Sequence, residues 1–262
     1  MANLDKAPGP GSRFDWRHWV HRFDRMQERY LPRRAERFAV IARIIGATRR
    51  NVGRILDLGC GAGSLTEFLL DAFPESRAVG VDVDAAILLL ARPRLERFGP
   101  RAELLHRDLR DTSWAEGLGA EFDAVVSATA LHWLSSASLV QLYRRLPGVL
   151  APGGVFLNAD HIGSDSPAIQ EAWRQETANP ALREGAPPSD TWSEFFEGYA
   201  AAVGANRGTV GEKAVGKWEG VEDGMPLAWQ FDRLRECGFV SVDCFWRFGK
   251  DAVYGGLAGG AH

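Results

Sequence analysis

Ile55-Leu-Asp-Leu-Gly-Cys-Gly-Ala-Gly63 is an apolar run that breaks into three glycines within five residues, and the helix-forming run Ser64 to Phe73 follows it. The first half reads as a buried strand. Glycines 59, 61 and 63 let the backbone turn sharply and let a ligand approach the N-terminus of the following helix. Strand, glycine turn and helix in that order predict an α/β fold with a ligand crevice at the carboxyl end of the sheet.

The pattern continues on both sides of this segment. Strands are predicted at Ala78–Val83, Ala102–His106, Ala124–Ser127 and Val155–Ala159, with helices after Asp84 and over Ser136–Leu146. Pro93 is expected to kink or end the first of these helices. Ala151-Pro-Gly-Gly154 reads as a turn. Five strands joined by crossovers imply a parallel sheet covered on both faces. Near the end, a helix over Pro226–Cys237 precedes strands at Val240–Phe248 and Ala252–Leu257. The short link between those two strands suggests an antiparallel hairpin.

Upstream, Trp16, Trp19, Val20, Phe23, Met26 and Tyr30 recur at helical spacing. Pro32 is placed to open a second helix with the stripe Phe38, Ile41, Ile44 and Ile45, closed by Gly46 or Gly53. Residues 160–225 break the rhythm and carry Trp173, Trp192, Phe195, Phe196, Tyr199 and Trp218, which reads as a helical insertion. The division expected is a disordered tail at 1–12, a helical cap at 13–50 and a ligand-binding core at 51–160. A helical lid at 161–225 follows, and 226–262 complete the sheet.

Composition bounds the function classes. With 262 residues, 45% hydrophobic and 25% charged, the chain buries a core without staples. The longest apolar run, Ala85 to Ala91, is far short of the ~18 residues of a membrane span. Cys60, Cys237 and Cys244 have no CxxC spacing, so neither a disulfide framework nor a metal site is expected. No apolar leader opens the chain, and a cytoplasmic setting is the expectation. The net charge of −3 divides unevenly, since residues 1–50 hold 12 Lys and Arg against 5 Asp and Glu. A basic arm of this kind meets nucleic acid or an anionic substrate, or is a solvated helix face.

Three details select the ligand. Ser64 stands where the dinucleotide fingerprint GxGxxG requires glycine, which disfavours a nicotinamide dehydrogenase. Asp57 would repel a pyrophosphate but suits a cationic amine or sulfonium. Asp82, 23 residues after Gly59, can accept both hydroxyls of a ribose.

With these features the chain resembles the class I S-adenosylmethionine-dependent methyltransferases, in particular the type 11/12 domains and the trans-aconitate methyltransferase group. The matching segments are LDLGCGAGSLT (56–66), VGVDVD (79–84), HRDLRD (106–111), FDAVVSATALHWL (122–134) and LAPGGVF (150–156). The fold implied is a Rossmann-like, seven-stranded, mostly parallel sheet with an antiparallel C-terminal hairpin, N-terminal helices and a helical lid. The cofactor implied is S-adenosylmethionine. By the same resemblance Asp57, Gly59, Cys60 and Gly61 would line its methionine and ribose, Asp82 and Val83 its ribose, and Asp108 and Leu109 its adenine. Ser127 would offer a backbone carbonyl to the methionine amine.

Methyl transfer from a sulfonium needs a nucleophile held in line and water excluded; a base is needed only when the nucleophile must lose a proton. His132, just past the fourth strand, is the candidate base, with substrate positioning and plain packing as its other readings. Trp19, Trp133, His161 and Trp192 are candidate substrate contacts. Arg33, Arg34 or Arg37 is placed to bind a carboxylate bidentately. The acceptor expected is a small molecule, anionic or partly apolar, met by a monomer or homodimer. RNA methylation, supported only by the basic arm, and a non-methylating relative of the fold are the alternatives.

Overall fold

The computed structural model describes residues 14–31, 33–119, 121–178, 189–205, 210, 220 and 224–259. The expected tail at 1–12, Pro32 and Trp218 lie outside the described residues.

Two helices come first, α1 over Trp16–Tyr30 and α2 over Arg34–Thr48. Asp15 caps α1 by accepting the His18 N–H at 3.1 Å, and the face Trp19, Phe23, Met26 and Gln27 is buried. Gly46 does not close α2 but lies inside it; a helix-interior glycine costs only about 1 kcal/mol, and burial of Ile41 and Ile45 outweighs it.

The core alternates β1 Arg54–Leu58, α3 Ser64–Ala72, β2 Arg77–Asp82, α4 Ala85–Leu95, β3 Ala102–His106, β4 Phe122–Ala128, α5 Ser136–Val149 and β5 Leu150–His161. Asp84 starts α4 by accepting the N–H groups of Ala86 and Ile87 at 2.9 and 3.2 Å. Pro93 sits inside α4, which ends two residues later in a short 3-10 segment, Glu96–Arg101. The predicted turn at 151–154 is instead part of β5. The β4–β5 register shifts between Phe122 and Ala124, so the extra residues are absorbed as an irregularity in the ladder.

After β5 come α6 Pro167–Ala178, α7 Trp192–Val203, α8 Leu227–Glu236 and the hairpin β6 Phe239–Phe248 and β7 Asp251–Ala258. The seven-stranded sheet has the order β3-β2-β1-β4-β5-β7-β6, with β1 to β5 parallel and β7 antiparallel to both neighbours. This is the fold class expected from the sequence. One face packs Tyr143, Leu146 and Phe156; the other packs Ile41, Ile45 and Leu69. A third cluster joins α1 to α7 through Trp19, Phe23, Phe195 and Tyr199. Among the described residues no helix is long and apolar enough to cross a membrane.

Strand order reverses between β1 and β4, with β2 and β3 added on one side and β4 and β5 on the other, so a crevice opens where the loops after those two parallel strands diverge.

Candidate functional site

The loop after β1 is fixed by its neighbour β2. Gly59 N–H and Cys60 N–H donate to the Val81 carbonyl at 2.8 and 3.1 Å, and Gly61 N–H donates to Asp82 Oδ2 at 2.7 Å. Gly59 has φ +68°, and a Cβ there would lie 2.3 Å from the Ala130 Cβ. Only glycine lets this loop pass under the turn after β4.

A cavity of about 1100 Å³, counting its open mouth, lies over the loop. Asp57, Gly59, Cys60, Gly61, Asp82, Val83, Asp108 and Leu109 line it. The sequence-predicted cofactor residues therefore converge, Ser127 excepted. Ser127 is buried below the floor with its hydroxyl donating to the Leu58 carbonyl at 2.7 Å, and Ala128, Thr129 and Ala130 form the wall instead.

The acids of the cavity differ in state. Asp57 is 1% exposed; Thr66 Oγ1 donates to its Oδ2 at 2.6 Å, and its Oδ1 is buried without a partner. Burial pushes its carboxyl up to about 7, against the Thr66 hydrogen bond. Asp82 is also raised by burial, although Gly61 and Asp84 N–H groups donate to it at 2.7 and 2.8 Å. For Asp108, burial is outweighed by the Arg110 fork, which donates at 2.6 to 3.0 Å and holds the carboxyl below its ordinary value. Cys60 faces β2, and burial pushes its thiol well up, so it is a packing contact rather than a nucleophile.

The opposite wall comes from the helices and from the turn after β4. Phe23, Gln27, Arg34, Phe38, Trp133, Leu134, Trp192 and Phe196 line it. Trp133 and Trp192, two of the candidate substrate contacts, both line the cavity. Trp19 is not; it packs on Phe195 and Tyr199 with ring centroids 5.8 and 5.5 Å away. From the sequence, Phe23 and Phe38 stand only as members of apolar helix stripes, and Gln27 is not singled out. Gln27 carried a signal, since it is a polar residue four positions from Phe23 on an apolar helix face.

The two predicted histidines lie behind the wall. His132 Nδ1 is 2.6 Å from Asp160 Oδ1, and its backbone N–H donates to Asp160 Oδ2 at 3.1 Å. His161 Nδ1 is 2.6 Å from Asp251 Oδ1, which also accepts from the buried Arg37 at 3.2 Å. The two imidazoles are 5.0 Å apart and border a small separate cavity with Gln230 and Tyr254. Burial lowers His161, whereas His132 and His161 together hold Asp160 at about 2 against its burial. The position expected for a base at the acceptor is therefore not where His132 lies: its partnership with Asp160 turns the ring into the protein. A Cβ on Gly220 would lie 1.9 Å from the His132 carbonyl oxygen, so Gly220 itself sits directly against this turn.

Residues 55–154 match the family model described as a methyltransferase domain. A trans-aconitate 2-methyltransferase of Acidovorax sp. (strain JS42) is 35% identical over 140 residues, covering 50% of each chain. The chain spans about half the length of the curated relatives it matches. The solved S-adenosylmethionine-dependent methyltransferase SibL, in its apo form, matches 85% of this chain and 54% of its own at a TM-score of 0.54 and 19% identity. An O-methyltransferase family protein from Burkholderia thailandensis matches 100% of this chain and 77% of its own at 0.58 and 16%. At those identities both structures bear on the fold alone. The family match falls on the strands and glycine loop that build the cavity floor, and it is this part of the chain, residues 55–154, that carries the methyltransferase domain.

Proposed function

We propose that the protein transfers a methyl group from S-adenosylmethionine to a small-molecule acceptor held against the wall of α1, α2, α7 and the turn after β4. The observation that carries this reading is one cavity with two unlike sides. Its floor holds Asp57, with a buried carboxylate oxygen that lacks a partner, and its far wall is aromatic.

The floor fits the cofactor. The unpartnered Asp57 oxygen suits a cationic amine or sulfonium. Each Asp82 oxygen accepts one backbone N–H and keeps a lone pair for a ribose hydroxyl. Leu109 and Val83 offer apolar edges for a flat base, and Asp108 an acceptor for its amino group. When bound, S-adenosylmethionine supplies a methyl group on sulfur with a neutral thioether as leaving group.

The chain's own part is positional. Phe23, Phe38, Trp133, Trp192 and Phe196 exclude water and confine an acceptor to the space above the loop. Among the described residues no histidine lines the cavity, which favours an acceptor whose nucleophile is already deprotonated, such as a carboxylate. The matched relatives named for trans-aconitate methylation are compatible with that class.

The test is methyl-labelled S-adenosylmethionine offered with separated small-metabolite and RNA fractions. Label in the small-metabolite fraction, lost on Asp82→Ala substitution, is expected. Label in RNA alone overturns the proposal.

A further inference from the structure

Three arginines lie within five residues at the α1–α2 elbow, and the structure gives them three different fates. Arg33, with a left-handed φ of +58°, makes the elbow; its side chain is 54% exposed, beside Glu36 and over the Phe248 ring. Arg37 is 1% exposed and committed to Asp251 at 3.2 Å. Arg34 alone of the three lines the cavity.

Its neighbours hold it loosely. Asp24 of α1 receives Arg94 Nη2 at 2.7 Å and the Ser64 hydroxyl at 3.1 Å, but Arg34 Nη1 only at 3.5 Å. Arg94, 3% exposed, also donates to Ser64 Oγ, so Asp24 is drawn toward α3 and α4 and away from Arg34. Burial, with Arg94 and Arg37 nearby, lowers Arg34 to about 10 against the pull of Asp24. The guanidinium is thus desolvated without a full counter-charge. Gln27, a polar residue 8% exposed, lines the same cavity.

We propose that Arg34, assisted by Gln27, is the carboxylate-binding residue of this cavity. The proposal rests on the cavity being an S-adenosylmethionine site, and it adds a polar anchor from helices outside the matched domain at 55–154. A planar fork donating two N–H groups suits a carboxylate, and a Gln27 N–H supplies a third. Two carboxylates qualify by chemistry, that of the cofactor's methionine half and that of an acidic acceptor. The first is zwitterionic, and its cationic end finds Asp57.

The experiment separates the two sources. S-adenosylhomocysteine, which has the methionine carboxylate, and 5′-methylthioadenosine, which lacks the whole amino-acid half, are titrated into the full chain and its Arg34→Gln variant by calorimetry. Benzoate and trans-aconitate are titrated into the S-adenosylhomocysteine complexes. A tenfold or greater loss for S-adenosylhomocysteine with 5′-methylthioadenosine unchanged supports the cofactor's carboxylate as the ligand. An unchanged S-adenosylhomocysteine affinity with a tenfold loss for either free acid supports the acceptor's. Equal losses for S-adenosylhomocysteine and 5′-methylthioadenosine mean a structural role and overturn the proposal, as does a change below twofold in every arm. Arg34→Lys, which keeps the charge without the fork, and Gln27→Leu are measured alongside. Both are expected to give smaller losses, and they carry the test if Arg34→Gln does not fold. A wild-type chain that binds neither adenosyl compound refutes the cofactor reading itself, and is distinguished in this way from a failure of the Arg34 assignment.

Discussion

Replacing Asp57 by Asn tests whether the buried carboxylate is the counter-charge of the cofactor. Its carboxyl is pushed up to about 7, chiefly by burial, with Thr66 as its one hydrogen-bond partner. A cationic ligand selects the ionised form, so apparent affinity scales with the ionised fraction. That fraction is about one-tenth at pH 6 and one-half at pH 7, which makes the wild type bind about fivefold tighter at pH 7 than at pH 6. The range stays below the titration of the ligand's own α-amine, near pH ~7.7–8.0. Calorimetry in buffers of different ionisation enthalpy should find close to one proton (about 0.9) released per S-adenosylmethionine bound at pH 6. In Asp57→Asn the fivefold slope and most of that proton release should vanish, with affinity reduced throughout. Stability should move the other way. A carboxyl whose folded pKa is raised loses stability as pH climbs from its unfolded value, near 4, to about 7. Above pH 7 the ionised group costs up to about 4 kcal/mol, at ~1.4 kcal/mol per pK unit, so the ligand-free variant should melt higher than wild type at pH 8. A wild-type affinity flat from pH 5.5 to 7, or an equal slope in the variant, refutes the assignment.

Gly59→Ala puts a Cβ 2.3 Å from that of Ala130 at a φ of +68°. A cost of about 1–3 kcal/mol in thermal or urea melts is expected, with S-adenosylhomocysteine affinity falling at least ~10-fold; wild-type binding would contradict the close crossing of loop and turn. Arg37→Leu leaves Asp251 buried without its guanidinium, and urea denaturation should read a loss of about 3–5 kcal/mol. The double variant Arg37→Leu/Asp251→Asn should lose less; an equal or larger loss would mean that charge is not the cause. For Asp160, held at about 2 by His132 and His161, the sign is opposite to that of Asp57. A depressed carboxyl contributes stability that is present above pH ~4 and lost as pH falls toward 2. Asp160→Asn should be less stable than wild type at pH 5 by about 2 kcal/mol and should converge with it near pH 2, as read by urea melts across that range.

Much of the fold was legible because its signals are local. Five parallel strands are short apolar runs, and α4 and α5 are capped by Asp84 and Ser135 directly before their first turns. The floor of the cavity was legible for the same reason, since Asp57, the glycine loop and Asp82 are fixed by β1 and β2 alone. What escaped depends on partners far along the chain. The orientation of His132 is set by Asp160, 28 residues away, and nothing in Ala130-Leu-His-Trp133 reveals it. Helical spacing placed Trp19 and Phe23 on one face, but whether that face meets the cavity or α7 depends on a helix more than 160 residues later. Choosing among Arg33, Arg34 and Arg37 required the left-handed turn at Arg33, which no sequence signal announces for an arginine.

The four central aspartates make the division of labour concrete, because one residue type is driven in opposite directions. Asp57 and Asp82 are raised by burial in the cavity; Asp160 and Asp251 are lowered behind it by His132, His161 and Arg37 despite burial. The rear pair is supplied with its hydrogen-bond donors by the fold, His132 for Asp160 and His161 with the Arg37 guanidinium for Asp251, so its contribution is present whether or not a ligand is bound. The cavity pair is supplied only in part, Asp57 by Thr66 and Asp82 by the Gly61 and Asp84 N–H groups, so its ionised form carries a net cost of burial in the free protein. A cofactor that brings both a cation and two hydroxyl donors removes that cost on binding, and by linkage the complex must be more stable than the free chain by more than its contacts with the apolar walls account for. The excess should therefore disappear in Asp57→Asn even where the aromatic wall is intact. On the proposed assignment, the instability of the empty floor is part of how the site would select its cofactor.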